Sequence, residues 1–188
     1  MTAPFAPVPR RTGLVVAVDL EERAAAEALA GAVAPFADAL KVGWPTVLAC
    51  GIEVVGLLQR ASGRPVICDF KIADIPPVAS AIARRAVDAG ASGVICHAFA
   101  GRESVQAVAD ECHRRGVLAI AVVEMSHEGG REFTEPWSVR LLEAALAGGA
   151  LVGAVNGVLI KTVLGRYTFA LGSNEEATRL SGVDVDAR

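Results

Sequence analysis

Short, almost unbroken apolar runs recur along the chain at 14–20, 39–43, 65–70, 93–97 and 117–124. Between them, over 21–34, 46–61, 77–89 and 102–115, apolar residues return every three or four positions. A continuous run of this length suits a strand covered on both faces, and the intervening spacing suits an amphipathic helix. The runs begin at 14, 39, 65, 93 and 117, a spacing of about 26 residues that repeats a strand–helix unit. Gly63, Gly90 and Gly116 stand a few residues before the third, fourth and fifth runs, where a left-handed residue would end the preceding helix. Right-handed strand–helix–strand crossovers then leave a closed barrel or an open doubly wound sheet.

Polar residues choose between the two. Each run ends on a group able to do chemistry: Asp19, Lys41, Asp69 with Lys71, His97, and Glu124 followed by Ser126. A parallel barrel gathers such strand ends around one mouth, whereas an open sheet spreads them to opposite edges. No GxGxxG or Walker sequence follows the first run. The expected fold is therefore a TIM (β/α) barrel. Eight units at this spacing would need about 206 residues beyond the leader, more than the 188 present, so the C-terminal side should be incomplete or irregular. Six or seven strands are recognisable. The pattern predicts a helix over 136–147, a sixth strand within 152–161, a seventh at 167–171 and a short helix near 174–180. Residues 1–12 read as a flexible leader, and 13–188 as one barrel domain that diverges or is truncated after about residue 135.

Composition narrows the class. With 53% hydrophobic and 21% charged residues and a mean hydropathy of +0.44, the chain is neither disordered nor fibrous. Eighteen basic and 21 acidic residues leave a net charge of −3, so no global positive field exists to hold a nucleic acid or an anionic membrane. Cys50, Cys68, Cys96 and Cys112 are spaced by 18, 28 and 16 residues, which fits neither a zinc motif nor a disulfide framework but suits reduced thiols in the cytoplasm. Three prolines interrupt the apolar residues of MTAPFAPVPRR, which argues against a signal peptide. Residues 144–160 carry no charge for 17 positions, with Gly149, Gly153 and Gly157 at small-xxx-small spacing. Four glycines and Asn156 in so short a segment favour a soluble element over a membrane span.

The densest chemical signal is Asp69-Phe70-Lys71-Ile72-Ala73-Asp74-Ile75-Pro76. Strand alternation points Asp69 and Lys71 into the barrel and Phe70 outward against the helices, with Asp74 at the rim. Adding Lys41 from the neighbouring strand gives a row of alternating charges, Lys41, Asp69, Lys71 and Asp74, in which each compensates the next. A structural ion-pair network closing the barrel end is the plainer account of the same residues. His97 serves as well for orientation or packing as for catalysis. Glu124 and His127 bracket Ser126, but two neighbouring groups without a third ligand do not make a metal site, and none is expected.

With these residues in place the sequence resembles orotidine 5′-phosphate decarboxylase in the form common in archaea and some bacteria. The resemblance rests on AVDL with Asp19, LKVGWP with Lys41, CDFKIADIP with Asp69, Lys71 and Asp74, GVICHAF with His97, and VVEMSHEGG with Ser126, in family order over about 14–130. The DxKxxD pattern is shared with sugar-phosphate relatives, the keto-gulonate phosphate decarboxylases and hexulose phosphate synthases. The Ile75-Pro76 continuation and EMSH point to the orotidine enzyme. The resemblance implies a cofactor-independent decarboxylation yielding uridine 5′-phosphate. The substrate carboxylate would lie beside Asp69, and Lys71 would stabilise and protonate the carbanion. Lys41 and Asp19 would hold ribose hydroxyls, Ser126 would bond the pyrimidine edge, Asp74 would reach a ribose hydroxyl and Lys71 in the partner subunit of a homodimer, and Ile75 and Pro76 beside it would contact the substrate.

Two features depart from the family. A hydroxyl residue usual four positions after the last aspartate of DxKxxD is Val78 here, and the glutamine loop and arginine that grip the phosphate are not found after Gly130. Lys161, Arg166 and the turn at Gly172 to Asn174 are the substitutes the tail offers. A non-catalytic or truncated relative that binds a ligand or partner, and a metal-dependent sugar-phosphate enzyme, stay open as alternatives.

Overall fold

The structure is a computed structural model, and it describes residues 12–153. Thirteen regular elements alternate almost strictly. The strands are β1 (Val15–Val18), β2 (Ala39–Gly43), β3 (Val66–Ile72), β4 (Gly93–His97), β5 (Leu118–Val122) and β6 (Leu151–Gly153). The helices are α1 (Arg23–Val33), α2 (Trp44–Cys50), α3 (Val54–Ser62), α4 (Pro76–Asp88), α5 (Arg102–His113), α6 (Glu128–Thr134) and α7 (Ser138–Ala147). All neighbouring strands are parallel and lie in chain order, β1-β2-β3-β4-β5-β6. This is six units of a TIM barrel that does not close among the described residues.

Residue alternation sorts the strands into two apolar layers. Val18, Leu40, Val42, Val66, Cys68, Val94, Cys96, Ala119 and Ala121 face the helices and share one core with residues such as Ala30, Leu58, Ala83 and Val108. Ala39, Ile67 and Ile95 form a smaller inner cluster with Val15, Ile120 and Val122. Lys41, Asp69 and His97 each lie two residues beyond an inner-cluster residue, so the same alternation carries them inward at the strand ends.

The strands at 39–43 and 93–97 have the bounds read from the sequence. The glycines at 63, 90 and 116 have φ of +63°, +100° and +68°, as their place after helices requires. The single helix expected over 46–61 is two, because Gly51 at φ +81° turns the chain between α2 and α3. The helix expected over 136–147 begins as a 3₁₀ turn at Glu135–Trp137 before α7. The uncharged stretch from 144 is likewise broken: α7 ends, Gly149 turns at φ +82°, and β6 follows. No helix among the described residues is long and apolar enough to cross a membrane.

At the leader boundary Thr12 is tied down: its N–H and that of Gly13 donate to the buried Asp38 carboxylate at 3.1 and 2.8 Å. The rest of the leader, the later part of the sixth strand, the seventh strand at 167–171 and the helix near 174–180 lie outside the described residues.

Candidate active site

Strand alternation on β2 and β3 brings Lys41 and Asp69 face to face. Lys41 Nζ lies 2.6 Å from Asp69 Oδ2, with both side chains buried. Lys71 Nζ reaches the same oxygen at 2.8 Å from a side chain that is 43% exposed. Two ammonium groups therefore share one carboxylate oxygen, while Asp69 Oδ1 is buried with no hydrogen-bond partner. Burial by itself would raise the Asp69 carboxyl, but Lys41 and then Lys71, by charge and hydrogen bond, hold it below the usual carboxylate range. Asp69 is thus an anion at neutral pH in a place where an isolated carboxylate would be costly.

Lys71 does not arrive by regular strand alternation. The register between β3 and β4 shifts between Cys68 and Ile72, and Lys71 has φ +45°, the one positive value at a non-glycine among the described residues. That region is uncommon for a lysine and marks a backbone held by its surroundings. Phe70, as expected, packs outward: it is buried and stacks on Trp44 with ring centroids 4.5 Å apart.

The row of four alternating charges is corrected to three within one chain. Asp74 is exposed on the loop before α4, and its Oδ1 accepts the N–H of Ile75 at 2.8 Å rather than pairing with Lys71. Beside it Ile75 is 63% exposed and Pro76 opens α4 half-buried, so this loop presents apolar surface next to the mouth.

Asp19, just past β1, accepts the N–H of Gly43 at 3.1 Å and so ties the ends of β1 and β2 together. A Cβ at residue 43 would lie 2.7 Å from Asp19 Oδ1, which explains the glycine after Lys41-Val42. The Thr46 hydroxyl donates to the Val18 carbonyl at 2.9 Å and seats α2 on the same strand end. Ser126 is exposed on the loop after β5.

His97 ends β4 buried, stacked on Phe99 at 4.5 Å between centroids, with Nδ1 unpartnered. Burial, then the nearby Lys71, push its imidazole below the usual histidine range despite the pull of Asp69, so it is neutral at pH 7. It borders a cleft of about 550 Å³ lined with Phe99, Met125, His127, Phe133 and Trp137. Glu124 is not free for a metal with His127: buried, it is paired with Arg131 at 3.3 Å. The cysteines are unbridged, and burial above all pushes Cys68, Cys96 and Cys112 up to about 12. Trp44, Thr46 and Arg131 were not singled out by sequence reasoning; the first two sit in the GWPT that follows Lys41, the only available signal.

Comparison with known proteins gives this arrangement its kin. The family model described as "Orotidine 5'-phosphate decarboxylase / HUMPS family" matches residues 12–159. The orotidine 5′-phosphate decarboxylase of Thermococcus kodakarensis is 39% identical over 132 residues, 70% of this chain and 60% of that protein. The enzyme of that name from Methanosarcina mazei is 39% identical over 141 residues, 75% of this chain and 63% of its own length. The chain thus spans about three fifths of the length of these curated relatives. Among solved structures, the orotidine 5′-monophosphate decarboxylase of Methanocaldococcus jannaschii complexed with the inhibitor BMP superposes with a TM-score of 0.73. It is 30% identical and covers 90% of this chain and 74% of that one. With the fold and the matched segment in agreement, the chain belongs to the orotidine 5′-phosphate decarboxylase / HUMPS family.

Proposed function

We propose that this protein is a carboxy-lyase that decarboxylates orotidine 5′-phosphate to uridine 5′-phosphate, a step of pyrimidine synthesis, in the cytoplasm and without a cofactor. The observation that carries this reading is the triad in which Lys41 and Lys71 meet on Asp69 Oδ2 while Asp69 Oδ1 stays unpaired. A carboxylate placed beside Oδ1 meets like charge, and departure of CO₂ removes it. The bonding pair of the broken C–C bond stays on C6 of the pyrimidine. The Lys71 ammonium, already fixed beside the site, stabilises that pair and then donates the proton that forms the C6–H bond. Preorganised charge of this kind needs no electron sink from a second molecule.

Around the triad, Lys41 and Asp19 hold ribose hydroxyls and Ser126 bonds the pyrimidine edge. Residues 13–188 act as one barrel domain. The phosphate falls to Lys161, Arg166 or the turn at Gly172 to Asn174, which lie outside the described residues. Asp74, Ile75 and Pro76 serve the site of a second copy in a homodimer; the exposure of Ile75 and of Asp74, whose Oδ1 accepts the Ile75 N–H, on the loop beside the mouth supports this.

The test is direct assay of orotidine 5′-phosphate decarboxylation with the full chain, with and without chelator. Chelator-insensitive turnover is expected; a divalent-metal requirement would favour a sugar-phosphate reaction, and binding without turnover a non-catalytic relative. Mixing Asp74→Ala with Lys71→Ala chains should restore part of the activity, since one hybrid site regains both side chains. No recovery in verified heterodimers would confine Asp74 to its own subunit.

A further inference from the structure

Trp44 takes no part in the chemistry above, yet it is bonded to the backbone that delivers Lys71. It opens α2 immediately after β2, three residues beyond Lys41. From there its indole Nε1–H donates to the carbonyl of Phe70 at 2.9 Å, and its ring lies against the Phe70 ring, 22° from parallel. Phe70 is the residue between Asp69 and Lys71, inside the stretch where the β3–β4 register shifts. A peptide displaced from the regular ladder needs another donor for its carbonyl, and the next residue, Lys71, occupies a left-handed conformation that side-chain-bearing residues seldom hold unaided.

We propose that Trp44 is a positioning residue: by clamping the Phe70 peptide with its indole N–H it holds Lys71 in its left-handed backbone conformation, with the ammonium on Asp69 Oδ2. The kinetic part of this inference rests on the decarboxylase reading; the structural part does not. Without the clamp, the Phe70 peptide can turn toward a regular strand and carry the lysine away from the aspartate. A displaced proton donor slows chemistry while leaving most ligand contacts in place.

Trp44→Phe tests this, because it keeps an aromatic ring against Phe70 while removing the indole N–H together with the five-membered half of the ring; Leu48→Ala, at an exposed position on the same helix, is the control. The expected result is a loss of about tenfold in kcat per folded chain, with KM for orotidine 5′-phosphate within about twofold of the parent. Independently of turnover, reductive methylation read by mass spectrometry should proceed about threefold faster or more at Lys71, relative to Lys41 in the same sample, as its ion pair loosens. Unchanged kcat together with unchanged Lys71 reactivity overturns the proposal, as does a rise in KM at constant kcat. Where the parent chain itself does not turn over, the decarboxylase reading fails, and Lys71 reactivity still decides the role of Trp44. Should Trp44→Phe not fold, benzothienylalanine replaces the indole N–H with sulfur at nearly constant shape in a Trp137→Phe background, and the same two readouts apply.

Discussion

Strands β2, β3 and β4 bury almost every residue on both faces, whereas β5 buries only alternate residues and β6 leaves Leu151 49% exposed. On β5 the buried residues, Ala119 and Ala121, are those turned to the helices; the inward Ile120 and Val122 are only partly covered. The helix-facing layer is covered locally by helices adjacent to each strand in the chain, as α5 packs on both β4 and β5 and α7 on β6. The inward layer depends on strands across the barrel, and the described sheet stops at six. The Lys41–Asp69–Lys71 triad belongs to the region where both layers are complete, which is where buried charge can be held in fixed geometry.

That contrast can be tested at its strongest point first. On the decarboxylase reading, Lys71→Ala removes the cation proposed to meet the developing carbanion, and turnover should fall by a factor on the order of 10²–10³ or more while uridine 5′-phosphate binds within a few-fold of the parent. Steady-state kinetics beside calorimetry checks both halves, and near-normal turnover would take Lys71 out of the mechanism. Next comes stability. Leu58→Ala in the fully buried helix layer should cost about 2–5 kcal/mol, and Leu151→Ala on β6 no more than about 0.5–1 kcal/mol, by urea unfolding. Comparable losses would mean that β6 is as firmly packed as the earlier units.

The smallest effect concerns His97. Burial holds its folded pKa below the unfolded value of about 6.5, so as pH falls through that value the unfolded chain takes up the proton first and stability declines until the folded value is passed. Asp69 behaves differently. Its folded pKa is lowered, so its contribution persists above the unfolded value of about 3.9 and is lost only as pH falls further, through the folded value. Thermal midpoints between pH 7.5 and 5 should therefore slope downward in the parent and less steeply in His97→Gln; parallel slopes would remove His97 as the cause.

Much of this was legible in the sequence for a local reason. Lys41 and Asp69 could be placed together because both sit at inward positions of adjacent strands, and a period of two suffices to say so. Helix α6 was not legible: EGGREFT has no apolar period, and the Thr134 hydroxyl supports it by donating to the Gly130 carbonyl and accepting the Met125 N–H. Alternation gave the right partner for Lys71 by the wrong route, since a register shift and a tryptophan from another unit set its direction. Asp74 was drawn into the row of charges because sequence spacing says nothing about which way a loop turns beyond its strand.

The order of the sheet has a consequence for how the chain comes to be folded. Neighbouring strands pair at separations of 24 residues (Val15 with Ala39), 26 (Leu40 with Val66), 26 (Ile67 with Gly93), 25 (Gly93 with Leu118) and 31 (Ile120 with Leu151). During synthesis each of these strands therefore emerges when its earlier neighbour is already outside the ribosome, and no described pairing waits for a distant segment. Assembly can advance by accretion from the N-terminal side, each loop closure spanning one unit, and from β2 to β5 each newly added edge strand is covered by the strand of the following unit, while the outer edge of β1 has no partner among the described strands.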